Sequence, residues 1–172
     1  DESRFQKPQH RSKTVDPMDR EAIVSALEAN LRQIERIVSQ LDDARAKTRP
    51  APDRWSPLEH LEHLVVVERG VHKSVAAACG VDPSEQRTRK MDAVIAGAGT
   101  VTRPLTAPEM VEPKGRFETL GDALQLFRER RTSTMDLARS LDVAFDAHHA
   151  SHPLLGPLDI GQWLLLAATH GE

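Results

Sequence analysis

Histidine is the residue type in this chain best suited to chemistry, and three histidines lie at helical spacing among apolar residues. His60 and His63 follow Trp55 in an apolar stretch, and His170 lies on a second apolar stripe that begins at Ile160. Neutral imidazole is a common ligand for zinc, nickel, copper and iron, and three protein ligands with an open position make a reactive metal site. A lone histidine on an apolar stripe is more often a core residue, so the pattern leaves both metal binding and packing open.

A second group of histidines lies in a short segment between two predicted helices, and it suggests an independent metal site. Its members are His148, His149 and His152, with Asp142 and Asp146 nearby. Histidine-rich surface segments are common and usually inert, so this hypothesis is the less favoured one. His152 directly precedes Pro153, and we expect it to shape the turn.

Two charged residues, Glu68 and Arg131, occupy the middle of apolar stripes on different predicted helices. Burying either charge without a partner would be costly. We therefore expect both side chains to be mostly buried in one hydrogen-bonded network. That network is either the polar floor of a pocket near the metal or a structural ion pair. A third possibility is that both side chains extend to solvent at an end of the bundle.

Helix-forming patterns occur four times along the chain. Asp16-Pro17 opens the first helix, whose apolar stripe runs from Ile23 to Leu41. The second begins at the capping box Ser56-Pro57-Leu58-Glu59 and runs to about Cys79. Its polar side carries Glu59, Glu62, Arg69 and Lys73, and its wide apolar arc is typical of a helix wedged between two neighbours. On this helix the periodicity favours His60 over His63 as the more buried histidine.

The third helix is predicted from Thr119 to about Ala144, and the fourth begins with Asp159 as its cap and Gln162 three residues later. A long connection, Gly80 to Phe117, precedes the third helix and has a possible short helix over Ser84 to Ile95. Strand signals are almost absent. The pattern predicts an all-α four-helix bundle with a long crossover between helices 2 and 3, formed by residues 16–172 as one domain after a polar tail over residues 1–15.

The composition excludes several classes of protein. The 172 residues are 39% hydrophobic, which allows one core, and the net charge of −3 with no tyrosine disfavours nucleic-acid binding. The longest apolar run, Trp163 to Ala168, is too short to span a bilayer. The single cysteine, Cys79, excludes a disulfide framework and zinc sites built on thiolates. We expect a cytoplasmic protein, with a homodimer through exposed helix faces as a weaker expectation.

Two motifs carry a resemblance to a known family. The stretch from Trp55 to Leu64 resembles the second-helix signature of the DinB-like family, the DinB/YfiT superfamily. The stretch from His152 to Leu165, with Thr169-His170 after it, resembles the fourth-helix signature. The crossover and third helix between them are also typical of the family, through Pro108, Pro113, Phe117, Leu124, Phe127 and Arg131. The resemblance covers roughly residues 18–172.

The resemblance implies a four-helix bundle that holds a divalent metal, zinc or nickel, with three histidines. The first ligand lies eight residues after the tryptophan and matches His63, which leaves His60 as a neighbouring pocket or packing residue. The second matches His170, and the third would fall two residues beyond Glu172. The predicted fourth helix is also much shorter than its three partners. We therefore expect that it is truncated at the C-terminus and that Glu172 is still helical or fraying from a helix.

The resemblance implies a metal-dependent enzyme, because some members are thiol S-transferases or isomerases. These act with low-molecular-weight thiols such as bacillithiol or mycothiol. A small-molecule substrate or thiol is then the expected partner, with neither nucleic acid nor membrane. One alternative is a non-catalytic bundle that binds a small ligand or a partner protein. Another is a metal-dependent hydrolase with a water nucleophile, for which Glu68 is the only candidate general base.

Overall fold

A computed structural model describes residues 19–83, 92, 94–95 and 107–170. Within these residues the chain forms four principal helices, one short helix and one hairpin. They are α1 (Arg20–Val38), α2 (Asp43–Lys47), α3 (Pro57–Cys79), α4 (Leu120–Ser140), β1 (His149–His152), β2 (Gly156–Asp159) and α5 (Ile160–Thr169), with a single 3₁₀ turn at Glu109–Val111 before α4. The mostly helical architecture confirms the predicted four-helix bundle with a long crossover between its second and third principal helices.

The four principal helices do not pack in the order of the sequence. α1 packs against α4 and α5, and α3 packs against the same two helices. The first two principal helices, α1 and α3, therefore lie diagonally across the bundle. α3 is wedged between two neighbours, as its wide apolar arc predicts.

Two capping boxes set the starts of the helices that carry His63 and His170. The Ser56 hydroxyl accepts the Glu59 amide, and the Glu59 carboxylate accepts the Ser56 amide. Asp159 and Gln162 make the same reciprocal pair at the start of α5. Both starts agree with the sequence, because each cap satisfies amide groups that have no partner inside the helix.

The predicted bounds of α1 and α4 need correction. α1 begins at Arg20, because Asp19 has an extended backbone and its side chain accepts the Ala22 amide, and the helix ends at Val38. The start predicted at Asp16-Pro17 lies outside the described residues. α4 ends at Ser140 rather than near Ala144, because the backbone at Leu141 is extended. The chain then brings Phe145 into the core, where only 4% of its surface is exposed.

A β-hairpin precedes α5 where the sequence indicated no strand. β1 pairs antiparallel with β2, with His152 opposite Gly156. The Nδ1 atom of His152 accepts the amides of Leu154 and Leu155 at 3.2 and 3.1 Å, which confirms that this histidine shapes the turn. Gly156 has a φ of 75°, a conformation that favours glycine.

Two sequence predictions fall largely or wholly outside the described residues. The polar tail over residues 1–15 is one of them. Of the short helix predicted over Ser84 to Ile95, residues 92, 94 and 95 are described and are helical, and Ile95 is completely buried. None of the helices in the described part of the chain is long and apolar enough to cross a membrane. The cytoplasmic location and the homodimer stay predictions.

A buried ion pair lies where the four principal helices meet. Arg131 of α4 and Glu68 of α3 are each 1% exposed, and Arg131 Nη2 lies 2.9 Å from Glu68 Oε2. Arg131 also donates to the Leu27 carbonyl and the Asn30 side chain of α1, at 3.2 and 3.1 Å, and to the Ala167 carbonyl of α5 at 3.0 Å. One guanidinium on α4 therefore bonds to each of the other three principal helices, which confirms the predicted buried network and favours its structural interpretation.

Replacing Arg131 by methionine should lower the free energy of unfolding by roughly 3–5 kcal/mol, because Glu68 would remain buried without its counter-charge. Adding Glu68→Leu should recover part of that loss, since the unpaired charge is then gone. Arg139→Met is the matched control, because the Arg139–Glu28 pair lies at the surface and is worth at most about 1 kcal/mol. Chemical denaturation of the four proteins measures these differences. Equal losses for Arg131→Met and Arg139→Met would contradict the role given to the buried pair.

Candidate metal site

His63 of α3 and His170, the residue that ends α5, lie side by side. Their Nε2 atoms are 2.9 Å apart, and their ring centroids are separated by 5.2 Å. Two ligands of one zinc ion lie roughly 3–3.5 Å apart, given zinc–nitrogen bonds of about 2.0–2.1 Å. The structure thus brings together the two histidines that match the ligand positions of the family motifs. Their role as metal ligands stays a prediction.

A backbone carbonyl determines which nitrogen of His63 is available. The Nδ1 atom lies 2.7 Å from the carbonyl oxygen of Val111. A carbonyl oxygen only accepts, so Nδ1 carries the proton and Nε2 presents a lone pair towards His170. Hydrogen bonds of this kind orient histidine ligands in metal sites. The ring of Trp55, with its centroid 5.1 Å from that of His63, packs against the same imidazole.

Burial keeps both imidazoles neutral near pH 7. It lowers the pKa of His170 to about 4, with smaller contributions from the charges of His63, His152 and Arg131. Burial also lowers the pKa of His63, although its hydrogen bond to Val111 acts in the opposite direction. Metal binding requires the neutral form of histidine. The pair is therefore in the protonation state that a metal site needs.

His60 lies outside this pair. It is exposed and contacts the edge of the Trp55 ring, with the centroids 5.4 Å apart. The periodicity argument that favoured His60 as the more buried histidine is wrong. It treated the face of α3 that bears Glu62 and His63 as partly solvated, whereas residues 109–116, the end of the crossover, cover that face. We call residues 109–116 the return segment.

Glu68 and Arg131 pair with each other, so neither presents an unpaired charge to the two histidines. The carboxylate is paired with the guanidinium, and the guanidinium binds the carbonyl of Ala167, three residues before His170. Glu68 is therefore not a free general base, which corrects the hydrolase hypothesis in that respect. The ion pair instead positions the last turn of α5.

The second group of histidines does not form a metal site within the described residues. His148 is buried and donates from Nδ1 to the Val81 carbonyl at 3.0 Å, and His152 uses its Nδ1 in the hairpin turn. Across residues 19–83, 92, 94–95 and 107–170 no group of three or more His, Cys, Asp or Glu side chains is placed to hold an ion. The same finding means that the His63–His170 pair offers two protein ligands there, not three.

The fourth helix ends directly before His170. α5 stops at Thr169, and His170 has an extended backbone with a ψ of 125°. His170 therefore lies outside the helix. The expectation that Glu172 is still helical, or fraying from a helix, concerns residues 171 and 172, which lie outside the described residues. Gly171 follows in the sequence, and glycine is the residue type favoured directly after a helix C-cap.

Sequence reasoning missed Glu62 and Val111. Glu62 was assigned to the polar side of α3, but it is 1% exposed and accepts three hydrogen bonds from the return segment. Val111 acts through its carbonyl oxygen, which no side-chain pattern can indicate. Both depend on contacts between positions about fifty residues apart, so no local signal in the sequence could have revealed them.

Comparisons with known proteins agree with the fold and the family motifs. The chain matches the family model described as the DinB superfamily over residues 26–172, and it therefore belongs to the DinB superfamily. No curated protein matches it.

Two solved structures are similar in fold. TT2238, described as a four-helix bundle protein, has a TM-score of 0.61 and 16% identity, covering 88% of this chain and 92% of its own. YfiT from Bacillus subtilis, described as a probable metal-dependent hydrolase with an unusual four-helix bundle topology, has a TM-score of 0.59 and 15% identity. That match covers 96% of this chain and 85% of YfiT.

The depressed pKa of His170 predicts a loss of stability in mild acid. In the unfolded chain His170 takes up a proton near its ordinary pKa of 6.5, whereas in the folded chain it resists protonation until about pH 4. The free energy of unfolding should therefore fall as the pH drops through this window. His170→Gln should flatten that dependence.

Denaturation with a chelator present, at pH 8, 6 and 5, measures this effect. At pH 8 the difference between the two proteins reports lost packing alone, so only the change in that difference towards pH 5 counts. Parallel curves for the parent protein and His170→Gln would contradict burial of a neutral imidazole.

Proposed function

We propose that this protein is a divalent-metal-dependent enzyme in which His63 and His170 bind the metal. The observation that carries the proposal is the 2.9 Å separation of their Nε2 atoms, with the lone pair of His63 directed at His170 by the Val111 carbonyl. Membership of the DinB superfamily and the name of the similar structure YfiT support a metal. The proposed reaction is transfer of a low-molecular-weight thiol to an electrophilic small molecule, or isomerisation with such a thiol.

The two residues fit a borderline divalent ion. Imidazole suits zinc, nickel, copper and iron, and the absence of a thiolate from the pair is compatible with zinc or nickel. Such an ion, when bound, lowers the pKa of a coordinated thiol or water and so supplies the nucleophile. His63 and His170 would hold and orient it through their Nε2 atoms. Two protein ligands leave further coordination positions for solvent or substrate.

The state of Glu68 favours a thiol over water as the nucleophile. A hydrolase commonly uses a carboxylate as general base, and Glu68 is buried against Arg131. A thiol held by such an ion would be a thiolate near neutral pH, with its proton released to solvent, so no carboxylate base would be needed. Metal-dependent hydrolysis remains the second candidate, because YfiT is described as a probable metal-dependent hydrolase.

Metal titration tests the first part of the proposal. Calorimetry with zinc and nickel on the purified chain should give one ion per chain at pH 7.5. His63→Ala and His170→Ala should each weaken that binding at least about 10-fold, because each removes a direct ligand. His60→Ala is the matched control and should leave the affinity unchanged, since His60 lies outside the pair. Equal binding by all four proteins would contradict the assignment.

Activity measurements separate the two reactions. With zinc or nickel present, the chain should consume bacillithiol or mycothiol together with a chromogenic alkylating agent. His63→Ala should abolish this at an unchanged fold. Thiol-independent cleavage of nitrophenyl esters, lost in the same variant, would favour the hydrolase instead. Metal binding without either reaction would favour a non-catalytic bundle that binds a ligand or partner.

A further inference from the structure

Glu62 is a buried carboxylate, and within the part of the chain that the structure describes its hydrogen bonds all go to one short stretch. Its Oε1 atom accepts the Lys114 amide at 2.6 Å and the Arg116 Nη1 group at 2.7 Å, and its Oε2 atom accepts the Arg116 amide at 3.0 Å. A carboxylate is tolerated at 1% exposure only when its oxygens are satisfied and its charge is paired. Both conditions are met here, so the contact specifies where the return segment lies.

The backbone at Gly115 is shaped to receive this carboxylate. Gly115 has a φ of 69°, a left-handed conformation that favours glycine. Amides that flank a left-handed residue can converge on a single anion. Those of Lys114 and Arg116 both bond to Glu62, one to each oxygen. The return segment therefore presents a built cradle for an anion, and α3 supplies the anion.

The same segment controls His63, the next residue along α3. Val111 lies three residues before Lys114 and bonds through its carbonyl oxygen to Nδ1 of His63. α3 thus holds the return segment at two adjacent points. Glu62 binds residues 114–116, and His63 binds residue 111. Moving the first contact would move the second, because Pro113 limits the backbone between them.

We propose that Glu62 is a positioning residue for His63. By holding the return segment through Lys114 and Arg116, it keeps the Val111 carbonyl on Nδ1 and so keeps the Nε2 lone pair directed at His170. This inference rests on the proposed function for its significance, since a lone pair on Nε2 matters most when His63 is a ligand. Its geometric content concerns the tautomer of His63 and can be measured without metal.

Nitrogen NMR of the histidine rings in the metal-free full chain provides the test. In the parent protein at pH 7.5, His63 should be the Nδ1–H tautomer. Glu62→Gln keeps the size of the side chain but turns a donor towards backbone amides that are themselves donors. It should convert His63 to a mixture of tautomers. The zinc dissociation constant should rise roughly 10–100-fold, the usual effect of losing a partner that orients a ligand.

Two further variants separate positioning from stability. Glu59→Gln is the matched control, because Glu59 is also a carboxylate of α3 and pairs with Arg49, but it does not touch the return segment. It should lower stability and leave the tautomer and the zinc affinity unchanged. Gly115→Ala perturbs the same contact from the return segment. A Cβ at this position would meet nothing within 4 Å, but the positive φ strains the backbone of any residue other than glycine. It should reproduce the tautomer change with Glu62 intact, and it serves if Glu62→Gln does not fold.

The outcomes are distinct from those of the proposed function. A pure Nδ1–H tautomer retained in Glu62→Gln and in Gly115→Ala would overturn the positioning role, whether or not zinc binds. A different tautomer in the parent protein would also overturn it. Loss of the tautomer in both variants would support it even if the parent protein binds no metal, in which case the proposed function alone would fail.

Discussion

The guanidinium of Arg131 links all four principal helices of the bundle. It pairs with Glu68 of α3 and donates to α1 and α5 from its place on α4. Arg131 is the largest side chain that the described residues bury completely. Buried charges of this kind contribute little net stability compared with apolar residues, but removing one partner is severe. The pair therefore constrains which helices lie together, and the diagonal arrangement of α1 and α3 is compatible with it.

The candidate metal site depends on this arrangement. His170 follows the last turn of α5, whose Ala167 carbonyl is bonded to Arg131, and His63 lies on α3 a little over one turn before Glu68. The ion pair and the histidine pair are thus successive links between α3 and the end of α5. The Nη atoms of Arg131 donate to carbonyl, carboxamide and carboxylate acceptors, and a backbone carbonyl accepts the Nδ1–H of His63. The result is two imidazoles with their Nε2 atoms in contact, both kept neutral because burial lowers the pKa of each.

The end of the crossover covers the face of α3 that bears Glu62 and His63. Its return segment contributes no metal-binding side chain within the described residues, yet it binds α3 through Glu62 and His63. Further back along the same connection, Asp92 accepts a hydrogen bond from Gln162, and the buried Ile95 accepts one from Thr169 through its carbonyl oxygen. The long connection is therefore a structural part of both helices that carry the histidines. This explains why a chain of this size can hold a crossover of such length.

Local signals in the sequence determined the four principal helices, the N-terminal caps of α3, α4 and α5, and the burial of Glu68 and Arg131. Periodicity and capping depend on residues within a turn or two of each other, so the starts of α3 and α5 could be predicted to the residue. The family motifs selected His63 and His170. Periodicity failed at His60 and Glu62, because it assumes that a polar helix face meets water. Only the tertiary structure decided that the return segment covers that face, that Val111 orients His63, that a hairpin precedes α5 and that α5 ends at Thr169. Each of these rests on contacts or backbone turns whose energy comes from the packed neighbours rather than from the residue types themselves.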